Sequence, residues 1–431
     1  MPKAIVLGGY GLIGLACMRA LAKADFEIIG VGRSMHSANA VNLPVEWIIR
    51  DIPSITTDEW LAMLDGVDVV VNASGALQDG ARDDLEAIHV TAVACLVEAA
   101  ARIPVRIVQI SAAGVSETAS TAFFQTKARG DRILSTRASN WIILRPTLVL
   151  SPEAYGGTAL LRAVSSLPLI LPRVLPDVQI QTVYVGDVAD AVVASALGQI
   201  HSGTIADITE EDTHSFPVLL AKVRRWQGWA DPVACPAIPL PLVSTVGKVA
   251  DLLGHLGWRS ALRTTAITTL ADGVRGDPDT WKTAGGSPCR SLDNTLALLP
   301  ATRQERLFSR AYLALPLAIG TLAIFWLLSG LITLIDPARA MSVLAERAVS
   351  SWVIAPTVFG GAVADMILGI GILWRPWTKP AALGMLGLSS AYLIGSLIAA
   401  PDLWADPLGP MVKVLPGMTL AALVWLMMED R

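Results

Sequence analysis

The sequence predicts an α/β domain, built on a doubly wound parallel sheet with a small C-terminal lobe, followed by an all-α bundle of four transmembrane helices. From Lys3 to about Leu150, short apolar runs alternate with helical patterns, as strands covered by helices on both faces require. From Ala311 to Met428 the chain is dominated by long apolar runs. Hydrophobic residues make up 53% of the chain and charged residues 16%, against roughly 45–50% and 25% in soluble proteins. This composition indicates lipid-embedded segments.

The α/β domain is predicted to occupy residues 1–205 and the small lobe with its linker residues 206–304. The early strands of the α/β domain are predicted at Ala4–Leu7, Glu27–Val31, Val45–Ile49, Val67–Asn72, Arg106–Ile110 and Trp141–Leu144. A later strand at Val178–Val185 precedes a helix at Val188–Leu197, and the lobe contains helices at Phe216–Trp226 and Leu242–Leu256. The last of these helices either packs as an ordinary amphipathic helix or lies in a membrane interface.

The membrane domain is predicted at residues 305–431. A spanning helix needs ~20 mainly apolar residues, which predicts spans at Ala311–Ile335, Ile354–Trp374, Pro380–Ala400 and Met411–Met428. Basic residues precede the first span and fill the second loop, at Arg303, Arg306, Arg310, Arg375 and Lys379. Since such residues favour the cytoplasmic side, we expect a multi-pass protein of the cell inner membrane with its N-terminal domain in the cytoplasm.

Charge and cysteine content argue against other classes of partner. The net charge is −4 and no long basic block occurs, so a nucleic-acid partner is not expected. The four cysteines are far apart and form no Cys-x-x-Cys pair, and the five histidines are scattered. Neither a metal site nor a disulfide framework is therefore predicted.

A glycine-rich turn joins the first predicted strand to the first helix. Gly8, Gly11 and Gly14 would serve a tight turn, close backbone approach to a pyrophosphate, and helix packing against the strand. The helix N-terminus would then direct its free N–H groups and positive dipole end at phosphate groups. The pattern predicts a Rossmann-type dinucleotide site, the alternative being a glycine-rich turn without a ligand.

The residue after the second strand selects between the two pyridine dinucleotides. Where an acidic residue would accept the ribose hydroxyls of NAD, the chain has Arg33 followed by Ser34. A guanidinium can bind a 2′-phosphate through two hydrogen bonds, whereas a carboxylate would repel it. NADP is therefore the predicted cofactor, unless Arg33 is only a solvated residue at a strand end.

These motifs, in this order, resemble the atypical and extended short-chain dehydrogenases/reductases over roughly residues 1–210. Further matches are Asp51 at the adenine position, Asn72-Ala73-Ser74-Gly75 after the fourth strand, Ser111 after the fifth, Arg145-Pro146, and Val185-Gly186-Asp187-Val188-Ala189. The cofactor contacts that the resemblance implies are Gly8, Tyr10, Gly11, Leu12, Ile13, Gly14, Arg33, Ser34, Asp51, Ala73, Ser74, Gly75 and Lys127.

The family's catalytic Tyr-x-x-x-Lys pair is incomplete. Lys127 is present, but Phe123 occupies the tyrosine position and has no proton to exchange. A positioned general acid or base contributes ~10²–10⁴ in rate, so ordinary alcohol dehydrogenation is disfavoured. Ser111 and Lys127 are the candidate catalytic residues, the alternatives being a strand-end serine and a surface lysine. Tyr155 or Tyr184 could replace the missing acid.

The membrane part resembles the DoxX-like four-helix family. The matching segments are Leu-Leu-Ser-Gly330, Gly360-Gly361-Ala-Val-Ala-Asp365, and Asp406-Pro-Leu-Gly-Pro-Met-Val-Lys413-Val-Leu-Pro416. Asp365 lies within the second apolar run, where a carboxylate needs a partner or a water-filled pocket. Lys413 is a candidate partner, the alternative being that it snorkels to the membrane interface. Asp365 either serves function or forms a structural ion pair or hydrogen bond.

Two hypotheses remain open at this point. The first is a membrane-anchored NADP(H)-binding oxidoreductase acting on a small hydrophobic substrate such as a quinone or isoprenoid. The second is a non-catalytic NADP(H)-binding scaffold or redox sensor within a membrane-protein complex or homo-oligomer. Phe123 favours the second, because the nucleotide-binding accessory subunit of mitochondrial respiratory complex I, which the chain resembles in this segment, holds NADPH for structural reasons.

Overall fold

The computed structural model describes residues 1–80, 83–258, 260, 262–347 and 349–428. It divides into two compact units, one of Met1–Asp251 with Ser260–Ser309 and one of Leu252–Arg259 with Arg310–Arg431. The strands are β1 Lys3–Leu7, β2 Glu27–Gly32, β3 Glu46–Ile49, β4 Val69–Asn72, β5 Arg106–Ile110, β6 Trp141–Pro146, β7 Leu148–Leu150, β8 Gln179–Ile180, β9 Thr182–Tyr184, β10 Thr204–Ile208 and β11 His214–Ser215.

The helices follow the alternation that the sequence predicts. They are α1 Leu12–Lys23, α2 Met35–Ala40, α3 Thr57–Met63, α4 Ala92–Ala100, α5 Ala122–Arg137, α6 Gly156–Ser165, α7 Val185–Ala196, α8 Phe216–Trp226, α9 Leu240–His255, α10 Thr264–Ala271, α11 Pro278–Thr283, α12 Leu292–Leu298, α13 Arg303–Ile335, α14 Pro337–Ala345, α15 Ser351–Gly371, α16 Thr378–Ala399 and α17 Val414–Met427. Shorter helical turns lie at Ile52–Ser54, Ala87–Thr91, Arg375–Trp377 and Pro401–Trp404.

Seven of the described strands form one parallel sheet in the order β10-β6-β5-β4-β1-β2-β3. The strand order reverses between β1 and β4, which is the doubly wound Rossmann arrangement that the sequence predicts. In such sheets ligands bind beyond the carboxyl ends of the strands at this switch point. The loops after β1, β2, β3, β4 and β5 therefore meet at one edge of the sheet.

Alternation along β1 builds a core on each face of the sheet. Ala4 and Val6 pack in the cluster that contains α1 and α7, whereas Ile5 and Leu7 pack in the cluster that contains α3, α4 and α5. All four side chains are essentially buried, and each fully buried Val, Leu or Ile contributes about 1.5–3 kcal/mol. This two-sided burial explains why the strand is almost wholly apolar.

Two features of the later strands differ from the sequence prediction. The single strand expected at Val178–Val185 is two short strands, because β8 pairs with β11 while β9 pairs with β7. At the break, Gln181 donates its backbone N–H to the Val274 carbonyl at 2.8 Å. The sequence does not predict the seventh strand of the sheet, β10, which carries Asp207 within it and lies at the sheet edge, so it lacks a continuous apolar run.

In the second unit the sequence predicts four spans, and three described helices are long and apolar enough to cross a membrane. These are Arg303–Ile335, Ser351–Gly371 and Arg375–Ala399. The fourth helix, α17, has 14 residues and is therefore only about 21 Å long. It begins at Val414, three residues after the predicted Met411, and Pro416 lies in its first turn, where a proline costs no helical hydrogen bond.

Candidate functional site

The turn between β1 and α1 requires glycine at particular positions. Gly8 has φ +71°, and a Cβ there would lie 3.0 Å from the Ala73 carbonyl oxygen. A Cβ at Gly14 would collide with the carbonyl oxygen of Gly8. Gly11 donates its backbone N–H to the same Gly8 oxygen at 2.8 Å. The predicted glycine motif therefore forms a tight strand-to-helix turn that side chains would fill.

The N-terminus of α1 suits an anion. Gly11 occupies the N-cap position, no described side chain caps the helix, and its first turn holds no acidic residue. The backbone N–H groups of Leu12, Ile13 and Gly14 lack intrahelical partners, as in the first turn of any helix. Together with the positive end of the helix dipole, they make this turn electrostatically suited to an anionic group.

Tyr10 links the glycine turn to the end of β2. Its ring lies over Gly32, where any Cβ would collide with it, and its hydroxyl accepts the backbone N–H of Arg33 at 3.0 Å. Trp47 flanks the ring, with centroids 6.0 Å apart. Tyr10 thus forms the wall between the phosphate turn and the expected adenosine position.

Arg33 is placed as predicted but has an acidic partner that the sequence analysis missed. Its guanidinium forms an ion pair with Asp83 at 2.6 Å, and Asp51 also interacts with it electrostatically. Ser34 caps α2 by accepting the Ser37 backbone N–H at 3.2 Å. The structure therefore pairs Arg33 with Asp83, whereas the Ser34 hydroxyl already serves a helix.

The segment after β4 connects the glycine turn with the candidate catalytic residues. The side chain of Asn72 accepts hydrogen bonds from the backbone and hydroxyl of Ser74, the latter at 2.5 Å. Ala73 approaches Gly8 through its backbone. A Cβ on Gly75 would lie 3.1 Å from His89 Nε2 and 3.7 Å from Lys127 Nζ. These contacts place the predicted Ala73-Ser74-Gly75 segment between the two parts of the site.

Phe123 and Lys127 occupy one face of α5, as the Tyr-x-x-x-Lys spacing predicts. Lys127 Nζ lies 5.8 Å from the centre of the Phe123 ring and donates to the Ile110 carbonyl at 3.0 Å. Lys127 is buried, which excludes the surface-lysine alternative. Burial lowers its pKa to about 8, although the charge of Asp131 opposes the shift.

His89 is a buried histidine of this site that the sequence analysis did not single out. Its Nε2 accepts the backbone N–H of Ala76 at 3.4 Å, so Nδ1 carries the proton and donates to Thr126 Oγ1 at 2.8 Å. The imidazole meets the Phe123 ring edge to face at 5.8 Å. Burial, and then the charge of Lys127, lower the pKa of His89 to about 3. The neutral ring therefore stiffens the site without adding charge.

Ser111 is held by a buried carboxylate. Its hydroxyl donates to Asp131 Oδ2 at 2.7 Å, and Arg145 forms an ion pair with the same oxygen at 3.1 Å. Asp131 Oδ1 is buried without a hydrogen-bond partner among the described residues. Burial raises the pKa of Asp131, and the Ser111 hydrogen bond and the Arg145 charge oppose that shift. A serine that donates to a carboxylate can only accept a hydrogen bond from a substrate.

Asp131 could have been found from the sequence, since it lies four residues after Lys127 on the same helix face. His89 and Asp83 had no such signal, because they lie in loops and turns far along the chain from their partners. The two alternative acids are placed elsewhere: Tyr155 is exposed at the start of α6, and Tyr184 packs beneath Arg290, 5.4 Å from its guanidinium carbon.

A cleft of about 240 Å³ opens beside α5. It is lined by hydroxyl groups of the loop after β5, by Phe124, and by Asp272 with Gly273 from the lobe. Ser120 donates a hydrogen bond to Asp272 across it. The loop that lines this cleft continues from Ser111 along the chain.

In the second unit, the partner predicted for Asp365 is wrong. Lys413 is exposed, and Asp365 instead accepts hydrogen bonds from Ser329 at 2.7 Å and from Tyr392 at 2.9 Å. Ser329 lies on α13 and Tyr392 on α16, so one carboxyl group of α15 joins three helices. Hydroxyl partners satisfy this carboxyl without a second charge, which corresponds to the structural hydrogen bond among the alternatives that the sequence leaves open.

Two family models match the chain. Residues 8–197 match an NAD(P)H-binding family and residues 323–422 the DoxX-like family. No curated protein matches the chain.

Solved structures share the fold of the first unit. WbmG from Bordetella bronchiseptica, in complex with NAD and UDP, is 15% identical with a TM-score of 0.51 and covers 68% of this chain and 92% of its own. A UDP-glucose 4-epimerase from Thermotoga maritima, with UDP-glucose, is 14% identical with a TM-score of 0.51, covering 72% and 99%. The terminal R domain of the myxalamid PKS-NRPS pathway is 16% identical with a TM-score of 0.53, covering 73% and 91%. The chain therefore joins an NAD(P)H-binding domain of the short-chain dehydrogenase/reductase type of fold to a C-terminal DoxX-like domain.

Proposed function

We propose that this protein is a membrane-anchored, NADP(H)-dependent oxidoreductase that acts on a lipid-soluble acceptor such as a quinone or isoprenoid. The observation that carries the proposal is the buried Lys127 ammonium beside Phe123. The lysine of the Tyr-x-x-x-Lys pair is present as Lys127, whereas the tyrosine hydroxyl is absent because Phe123 occupies its position. The apolar helices of the same chain would bring this site to a lipid-soluble substrate.

The residues present fit a pyridine dinucleotide. The glycine turn would receive the pyrophosphate, Ala73, Ser74 and Gly75 would line its path, and Lys127 would donate to the nicotinamide ribose. When bound, the cofactor would supply a hydride to the acceptor. The chain contributes binding, orientation and a buried positive charge.

The choice of NADP rests on Arg33. Its guanidinium lies at the end of β2, and the 2′-phosphate of NADP would replace Asp83 as its partner, since a phosphate offers more charge and more acceptor oxygens. Asp83 places an acidic residue at this position, however, and the structure of WbmG holds NAD. NADP binding therefore requires that the 2′-phosphate displaces the Asp83 carboxylate from the Arg33 guanidinium.

The missing tyrosine favours an acceptor that does not need a strong protein acid. Reduction of an aldehyde produces an alkoxide, whose conjugate acid has a pKa near the ~15.7 of water. Reduction of a quinone produces a phenolate-type anion, whose conjugate acid has a pKa near ~10. The Lys127 ammonium, with a pKa of about 8, could stabilise or protonate the second anion. Because a quinone carbonyl has no proton to donate, Ser111 would accept a hydrogen bond only from a hydroxyl of the reduced product.

A non-catalytic role is the second candidate function. It is favoured by the internal partners of both candidate catalytic groups, since Ser111 donates to Asp131 and Lys127 donates to Ile110. In this case NADP(H) occupancy would stabilise a scaffold or redox sensor in a membrane complex or homo-oligomer. In both cases we place the nucleotide-binding unit in the cytoplasm at the inner membrane, from the basic residues flanking the spans.

The decisive experiment follows NADPH absorbance with purified protein in lipid nanodiscs, offered either a short-chain quinone or an aldehyde. Wild type is expected to oxidise NADPH with the quinone and to leave the aldehyde unchanged. Phe123→Tyr restores the proton donor and is expected to add aldehyde reduction, with a rate gain of ~10²–10⁴ over wild type. Lys127→Met should lose quinone turnover.

The same assay distinguishes the oxidoreductase from the non-catalytic scaffold. If wild type binds NADPH but turns over neither acceptor, the oxidoreductase proposal is overturned in favour of the scaffold. Protein that binds no dinucleotide at all contradicts both candidates.

A further inference from the structure

Helix α9 presents an apolar face away from the protein. Leu242, Val246, Val249 and Leu252 are spaced by four, three and three residues, which places them on one side of a helix. They are between 42% and 67% exposed. A helix of a soluble domain normally turns such a face inward, so this surface requires a partner.

The opposite face of α9 is fixed by packing, so the helix cannot rotate to bury its apolar side. A Cβ on Gly247 would lie 2.9 Å from Ile267 Cδ1, and Ala250 is buried. Asp251 forms an ion pair with Arg263 at 3.3 Å and accepts a hydrogen bond from the Thr264 hydroxyl. Small residues and a carboxylate face the protein, while the large aliphatic residues face outward.

The C-terminal end of this segment is attached to a loop between two apolar helices. Trp258 Nε1 donates to the Leu373 carbonyl at 2.7 Å, and Arg375 donates its backbone N–H to the Leu256 carbonyl at 3.0 Å. Residues 372–377 join α15 to α16, both of which are long and apolar enough to cross a membrane. The loop between two such helices lies at a bilayer surface.

The composition of that loop supports this position. Trp374 and Trp377 are stacked, with ring centroids 6.1 Å apart, and both are about half exposed. Arg375 and Lys379 are close by in the sequence. Tryptophans and basic residues concentrate at the boundary between lipid tails and water. Leu256–Trp258 is therefore anchored at headgroup level, and α9 leads directly into it.

We propose that α9 lies in the membrane interface, with the face formed by Leu242, Val246, Val249 and Leu252 inserted among the lipid acyl chains. The partner is the bilayer that holds the spans of the same chain. Lys248 and His255, which are exposed and lie beside the apolar face, remain at the level of the lipid headgroups. This inference does not depend on dinucleotide chemistry, so it stands apart from the proposed oxidoreductase activity.

The test places a polarity-sensitive fluorophore on the full-length protein in nanodiscs that contain lipids spin-labelled near the headgroup end of the acyl chain. A Cys235→Ser background removes the exposed native cysteine, and the same background without a new cysteine provides the blank. Val249→Cys reports the apolar face. Lys248→Cys, the neighbouring exposed residue, is the matched control.

If the face is inserted, the fluorophore at position 249 is expected to show a blue-shifted emission. Lipid quenching at 249 is expected to be about threefold or more stronger than at 248, because interfacial helices bury their apolar face ~5–10 Å into the boundary between headgroups and acyl chains. Water-like emission at 249 overturns the proposal. A blue shift without lipid quenching also overturns it, since it would mean that a second copy or another protein covers the face. Labelling at Leu242→Cys repeats the test at the other end of the helix.

Discussion

Lys127 shows how burial changes the chemistry of a single residue. A lysine on a helix surface keeps its charge well above neutral pH, whereas burial lowers the pKa of this one to about 8. Below that pH it is an ammonium beside Phe123 and the Ile110 carbonyl. Above it, the neutral amine loses the charge that strengthens its hydrogen bonds.

This shift predicts a pH-dependent affinity for the dinucleotide. Because the charged form donates more strongly to the ribose, NADH affinity is expected to fall as the pH rises through about 8. Lys127→Met should bind more weakly and show no such step. His89, with a pKa of about 3, does not titrate in this range. A wild-type affinity measured by calorimetry that is unchanged across the range would contradict the role of Lys127.

For single residues, the sequence predicts contacts within one helix but not contacts between segments that are far apart in the chain. The spacing of Phe123 and Lys127 on one helix was sufficient to pair them, because i and i+4 share a face. Asp83 is 50 residues from Arg33, and His89 is 37 residues from Thr126. Such contacts depend on loop paths, which local patterns do not encode.

Among the elements, the strand-to-helix turn was the most predictable, because glycine positions report backbone geometry directly. The edge strand β10 and the split of β8 from β9 were not predicted, since both depend on which neighbours are available for pairing. The fourth apolar helix is shorter than hydropathy indicated, since hydropathy reports apolar length and not where the helical hydrogen bonds begin.

The glycine turn predicts a specific effect of one added methyl group. Gly14→Ala would force the new Cβ against the Gly8 carbonyl oxygen, and such overpacking costs about 1–3 kcal/mol. We expect a lower thermal midpoint and a loss of NADPH binding. Gly157→Ala in α6 is the matched control, because nothing lies within 4 Å of its Cβ. Unchanged NADPH binding by Gly14→Ala would argue against the turn as the pyrophosphate site.

The carboxyl group that joins three membrane helices predicts energetic coupling. Asp365→Ala and Tyr392→Phe each remove the hydrogen bond between them. A double-mutant cycle on unfolding in detergent is expected to give a coupling of about 0.6–1.7 kcal/mol, the range measured for such bonds in membranes. Zero coupling with lost quinone turnover would instead indicate that Asp365 acts in function rather than in structure.

The whole molecule combines an NAD(P)H-binding domain with a DoxX-like domain, and three described helices are long and apolar enough to cross a membrane. The order of motifs from the glycine turn to Lys127, followed by long apolar runs, was enough to predict both parts from the sequence. The acceptor could not be predicted in this way, because substrate choice depends on the shape of a pocket built from segments far apart in the chain, which local patterns do not encode.

The most direct test measures NADPH and NADH affinities of the intact protein in nanodiscs by calorimetry. Charge-assisted hydrogen bonds from Arg33 to the 2′-phosphate contribute about 1.5–3 kcal/mol, so NADPH should bind about ten- to a hundredfold more tightly than NADH. Arg33→Ala should abolish this preference, and Asp83→Asn should increase it by removing the competing carboxylate. Equal affinities, tighter NADH binding, or no dinucleotide binding would contradict the account.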